Sequence, residues 1–233
     1  MKCLSSEEHA SVRREYVDGR VSSMTGVTKR HNIIAGNIYS ILRSHVRGSQ
    51  CRAYISDVEV KVESANSFYY PDVMVSCEPF DHKSVWTSAP RLIVEVLSRF
   101  TAAIDRREKV LAYRQIDSLR EYLIVYQTKQ QAELHRKNED GHWDIFEFGQ
   151  GAELKLESIP VGSLQMSVAA IYEDVNWMDV NRQPDGDWEV REEAHDDWLD
   201  ESGWEILNAL ILRVIGSASK SSQKNFSTFC HHI

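Results

Sequence analysis

The chain has 233 residues, 42% of them apolar and 27% charged, enough for one ordinary core with material to spare. A net charge of −8 argues against a protein that coats nucleic acid with its whole surface. No apolar run reaches the ~18 residues of a membrane-spanning helix, and the first residues lack a signal-peptide apolar region.

Cys3, Cys51, Cys77 and Cys230 stand apart and form no CxxC. Neither a zinc framework nor a disulfide scaffold is signalled, and a reducing cytoplasm is the expected setting. Charge is unevenly spread: residues 176–233 hold 5 Lys and Arg against 11 Asp and Glu, so residues 1–175 are close to neutral and can carry a local basic patch. The division expected is a domain over 1–175 and an extension over 176–233, first acidic and then Ser/Lys-rich, and partly disordered.

In chain order, Arg14 to Met24 reads as a hairpin, because Asp18-Gly19 is a two-residue turn signal between alternating arms. Thr28 to Val46 reads as a helix with Ile34, Ile38, Leu42 and Val46 on one face, His31 and Ala35 beside them, and Gly48 as the stop. Ser56 to Glu63 alternates as a half-buried strand with Val58, Val60 and Val62 inward. Ala65-Asn-Ser67 is a turn, and Phe68 to Cys77 is the expected partner strand. Leu92 to Leu97 reads as a central strand covered on both faces. Ala102 to Ile116 reads as a helix with Ile104, Leu111 and Ile116 as its buried stripe. Glu121 to Tyr126 is a further buried strand, and a hairpin follows around Asn138 to Gly141. A last strand and a short helix end near Tyr172. This order predicts an α/β fold: a mixed β-sheet flanked by helices.

Two acids sit where acids are costly. Glu95 shares a strand face with Ile93 and Leu97, while Leu92, Val94 and Val96 take the other, and a buried charge needs a partner or a metal. Asp72 follows Pro71, a residue that belongs at an edge or a bulge because it lacks an amide donor. Downstream, Asp105 and Lys109 are spaced to share a helix face, and Arg91, Arg99, Arg106, Arg107 and Arg114 flank the region as potential phosphate contacts. Asp72 and Glu95 with the backbone carbonyl of Val96 make a half-shell of hard oxygens suited to Mg²⁺, with Mn²⁺ as substitute. Lys109 is placed to orient water or to balance charge on a phosphate. The ingredients suit phosphodiester hydrolysis. No GxSxG elbow, phosphate loop or GxGxxG is present.

Glu15-Tyr-Val-Asp-Gly19, His31, Tyr70-Pro-Asp72, Glu95-Val-Leu-Ser98, Asp105 with Lys109 and Tyr113, and Glu121-Tyr-Leu-Ile-Val125 resemble, in this order, the Uma-type restriction-endonuclease-like family common in cyanobacteria. That family belongs to the PD-(D/E)XK nuclease superfamily. The resemblance covers about Glu15 to Tyr126 and weakens toward Tyr172. It implies a restriction-endonuclease-like core, a divalent metal, DNA as partner, and a homodimer as the superfamily expectation. It also implies that Asp72 and Glu95 are the acidic ligands and that Glu15 and His31 complete the site. Leu97 stands where the superfamily lysine is usual, and Lys109 takes its place from the following helix. Ser98-Arg99-Phe100 departs from the family's Ser-Pro. The leading expectation is a metal-dependent endodeoxyribonuclease. The alternative is a catalytically inactive nuclease fold that binds DNA or a protein.

Overall fold

The computed structural model describes residues 14–17, 19–23, 27–97 and 108–177. All of them lie in one compact unit spanning 10–181; the second unit, 1–9 with 182–233, falls outside the described residues. Asp18, Met24, the 98–107 stretch with Asp105, Arg99, Arg106 and Arg107, and the tail from 178 onward also lie outside them.

The opening hairpin is β1 (Arg14–Val17) and β2 (Arg20–Ser23), with Val17 opposite Arg20 and Gly19 at φ +90°, a conformation glycine adopts without strain. Helix α1 (Lys29–His45) is capped by Thr28, whose hydroxyl accepts from the His31 N–H at 3.1 Å. Its expected stripe is buried: Ile34, Ile38, Leu42 and the C-cap Val46, with His31 and Ala35. The next strands are β3 (Arg52–Ile55), β4 (Glu59–Val62), β5 (Ser67–Tyr69), β6 (Val73–Ser76), β7 (Trp86–Thr87) and β8 (Pro90–Leu97). Helix α2 (Val110–Tyr113), which continues from helical residues 108–109, precedes β9 (Glu121–Tyr126), β10 (Ala132–Lys137) and β11 (Trp143–Phe148). The hairpin β12 (Glu153–Leu156) and β13 (Leu164–Ser167) leads into α3 (Val168–Ile171).

The six-stranded sheet runs β11-β10-β9-β8-β6-β3, parallel between β8 and β9 and antiparallel elsewhere. A five-stranded sheet runs β2-β1-β5-β4-β7. The architecture is therefore α/β with mixed sheets. Strand β8 divides two cores by simple alternation. Leu92, Val94 and Val96 enter one core with the α1 stripe, α3 and the β12–β13 hairpin. Ile93 and Leu97 enter the other with Val60, Val62, Tyr69, Tyr113, Tyr122 and Ile124. Each such side chain removed from water contributes about 1.5–3 kcal/mol, which is why β8 tolerates a charge at only one of its seven buried positions.

Four expectations need correction. Phe68 to Cys77 is two strands, because Pro71 cannot extend a ladder: β5 pairs with β4 in one sheet and β6 with β3 and β8 in the other. Strand β3 lay in a stretch without alternation and was not anticipated. Leu111 is 48% exposed; the buried stripe is Lys109, Ala112, Tyr113 and Ile116, at i, i+3, i+4 and i+7, with Val110 buried beside it. Finally, Cys51 and Cys77 form a disulfide with Cα atoms 3.9 Å apart. They flank the Arg52–Ser76 pair of β3 and β6, so the register brings together cysteines that no local spacing relates. Cysteine usage therefore gives no argument for a reducing compartment. No helix among the described residues is long and apolar enough to cross a membrane.

Candidate active site

Asp72 is the residue just before β6. The antiparallel register pairs Val73 with Val94, so one step further sets Asp72 opposite Glu95. The Asp72 carboxylate is tied down through one oxygen: Oδ2 accepts from the Val96 N–H at 2.7 Å and lies 3.2 Å from His31 Nε2. The cap at Thr28 sets the first turn of α1, and that turn presents His31 to Asp72. Val96 thus enters the site through its backbone N–H, while its side chain packs in the opposite core. The part foreseen for its carbonyl stays open to proposal.

Glu95 is 3% exposed. Its Oε1 accepts from the Tyr113 hydroxyl at 2.9 Å and from Lys109 Nζ at 3.2 Å. Lys109 Nζ also lies 3.0 Å from Glu15 Oε1, and the same Glu15 oxygen accepts from the Tyr70 N–H at 3.3 Å. Strand β1 pairs with β5, which is how Glu15 arrives from the second sheet beside the Tyr70-Pro71-Asp72 crossing. The Lys109 ammonium sits 5.8 Å from the Tyr69 ring centre, and Tyr69 and Tyr113 meet edge to face at 5.4 Å. A buried cation held by two carboxylates meets the requirement that interior charges be compensated.

All five residues singled out in the sequence thus come together: Glu15, Glu95 and Lys109 in one ion network, with the Asp72–His31 contact adjoining it. Asp105 is outside the described residues. Tyr113 completes the set. Burial, then the neighbouring Glu95, pushes its hydroxyl well above the ordinary tyrosine range, so it is a fixed donor to Glu95. Its spacing signalled this: Lys109 and Tyr113 are i and i+4 and share one helix face. Burial likewise raises Tyr69.

The donor set fits a hard divalent ion. Asp72, just before β6, and Glu95 on β8 offer carboxylate oxygens at opposed register positions, and Oδ1 of Asp72 takes part in neither contact of that carboxylate. Among the described residues no three His, Cys, Asp or Glu side chains close into a cage. Mg²⁺ asks for less, since one or two carboxylates with water and phosphate oxygens suffice.

A second strand acid behaves differently. Glu121 is fully buried on β9, yet it accepts from Arg136 Nε at 2.8 Å and from the Glu157 and Ser158 N–H groups at 3.0–3.1 Å. Its oxygens fasten the turn after β12 to the sheet. Missed in the sequence were Glu133 and His135 on β10, both buried, which a plain hairpin reading leaves as surface polars. Arg114, expected as a phosphate contact, instead reaches His135 Nδ1 at 2.9 Å, and burial lowers its guanidinium from the usual arginine range.

Comparison with known proteins agrees with the fold and the residue pattern. Over 170 residues the chain is 35% identical to the uncharacterized protein slr1290 of Synechocystis sp. (strain ATCC 27184 / PCC 6803 / Kazusa), covering 72% of this chain and 88% of that one. It is 30% identical over 162 residues to the uncharacterized protein sll1609 of the same strain, covering 68% and 92%. The fold is shared, with a TM-score of 0.59 at 16% identity, with the crystal structure of a putative nuclease belonging to DUF820 from Anabaena variabilis ATCC 29413, over 70% of this chain and 91% of that one. The family described as Uma2, putative restriction endonuclease, matches residues 2–169, and the chain belongs to it.

Proposed function

We propose that the protein is a metal-dependent endonuclease that hydrolyses phosphodiester bonds of DNA. The observation that carries this reading is the in-register opposition of Asp72 and Glu95 on adjacent strands, with a buried lysine 3.2 Å from one of them. Asp72 and Glu95 would hold Mg²⁺, or Mn²⁺ in its place. When bound, the ion supplies charge neutralisation of the phosphate and a water acidic enough to attack near neutral pH.

The chain's own residues do the rest. Lys109 brings a pre-placed positive charge toward the oxygens on which negative charge grows, and its two carboxylate partners hold it there without reorganisation. Tyr113 fixes the Glu95 carboxylate by donating to Oε1, and His31 with the Val96 N–H fixes Asp72 by occupying Oδ2. Glu15 balances Lys109 so that the ammonium does not neutralise Glu95 alone.

Purified protein incubated with plasmid and Mg²⁺ or Mn²⁺ is expected to nick it, and Asp72→Ala to abolish nicking while keeping the far-UV spectrum. Equal nicking by both proteins, or by neither across metals and DNA forms, defeats the reading. One observation favours the alternative of an inactive binding module: Lys109 and Tyr113 both occupy the Glu95 oxygen Oε1. Calorimetry separates the two, since heat of Mg²⁺ binding that disappears in Glu95→Ala excludes an idle site. For a double-strand cut we propose a homodimer, which sedimentation at micromolar concentration tests.

A further inference from the structure

On the same sheet face as Glu95 lies a polar cluster that the proposed chemistry leaves unused. Register puts it there: Glu95 pairs with Ile124 and Ile124 with Glu133, while the next row pairs Tyr122 with His135. Glu133 and His135 are 7% and 4% exposed. His135 Nε2 lies 2.5 Å from Glu133 Oε1, and Arg114 Nη2 lies 2.9 Å from His135 Nδ1. A guanidinium has donors only, so Nδ1 has to accept, and Nε2 has to carry the proton that it gives to Glu133. That arrangement orients the imidazole between a guanidinium and a carboxylate. The Tyr122 ring meets the His135 ring edge to face at 5.7 Å, and the Arg114 guanidinium covers the Trp143 ring at 5.7 Å.

Arg114 follows Tyr113 directly and comes five residues after Lys109, so the cluster grips the very turn that carries both donors to Glu95. Helix α2 buries Val110, Ala112 and Tyr113 in the core and leaves Leu111 in solvent. Apolar burial is non-directional, so directional contacts have to fix how the helix is rotated on the sheet. Its directional contacts include the Lys109 and Tyr113 bonds to Glu95, the Tyr113 ring contacts with Tyr69 and Tyr122, and, at its far end, the Arg114–His135 bond.

We propose that Glu133, His135 and Arg114 form a clamp that fixes this turn on the sheet and so keeps Lys109 and Tyr113 on Glu95. They are positioning residues, and the proposal rests on the nuclease reading for its link to activity. The test begins with the unaltered protein. A ¹⁵N imidazole spectrum is expected to show His135 protonated at Nε2 and bare at Nδ1; a proton on Nδ1 overturns the clamp. Next, Arg114→Met and His135→Phe are compared by hydrogen exchange. The amides of 109–116 are expected to exchange faster by about tenfold while those of β3 and β6 hold, and kcat for plasmid nicking to fall about tenfold at unchanged KM and Mg²⁺ affinity, since small misplacements of catalytic groups are costly. Unchanged exchange at 109–116 in Arg114→Met overturns the proposal. If neither variant folds, the tautomer of the unaltered protein decides. Protein that cleaves no DNA defeats the nuclease reading, and the spectrum and the exchange pattern still decide the clamp.

Discussion

The two faces of the six-stranded sheet treat a buried carboxylate in opposite ways. On the α1 side, Glu121 spends its oxygens on Arg136 and two backbone N–H groups, and the buried core of that face is mostly aliphatic. On the α2 side, Glu95 meets a lysine, a tyrosine and, through register, Asp72 and Glu133. Backbone amides and an arginine fork are partners that secure a loop. An ammonium and a fixed hydroxyl donor in a row of acids are partners that phosphate chemistry can use. Burial alone therefore does not tell these two carboxylates apart; the kind of partner does.

The largest effect that could break this contrast is expected at Glu95. Glu95→Gln should lower nicking by on the order of a thousandfold with the fold retained, in line with the loss of a principal electrostatic group; an active Glu95→Gln protein would place both acids in the structural class. Glu121→Gln should do the reverse. It leaves Arg136 and two amides short of a full charge and should cost about 3 kcal/mol in urea unfolding, with cleavage per folded molecule unchanged. Alkaline pH sharpens the contrast further. Tyr113 is raised above its ordinary 10.0, so an unfolded chain ionises this hydroxyl first. Its contribution is complete below pH 10 and is lost as pH climbs toward the folded value. Tyr113→Phe should be less stable at neutral pH but lose less on going from pH 9 to 11, measured by urea midpoints; a parallel loss in both proteins would refute the buried donor. Smallest is Thr28→Ala, which removes the cap that sets His31 and should cost about 1 kcal/mol by thermal unfolding.

Alternation made much of this legible. Ile93, Glu95 and Leu97 against Leu92, Val94 and Val96 states the division of the two cores outright, and the stripe of α1 names its buried face. Tyr70-Pro71-Asp72 was marked as irregular, but not that the chain changes sheets there, because the choice between β4 and β8 as neighbour is made by distant residues. Glu133 and His135 alternate like any surface hairpin, and only the helical turn laid over them makes them interior. The Cys51–Cys77 pairing depends on the same long-range register. Leu111 misled for a different reason: the stripe follows whichever side faces the sheet, and here Lys109 and Tyr113 claim it.

The sheet change at Pro71 has a mechanical side. Within Ser67 to Ser76 the chain belongs first to the five-stranded layer and then to the six-stranded one, and Asp72 sits at the splice. Sliding of one layer over the other would pull on that splice before it disturbed either ladder. Catalysis should then fade on gentle heating while the strand signal in circular dichroism is still whole, and a cleavage curve that tracks the spectrum degree for degree would show that the splice carries no such strain.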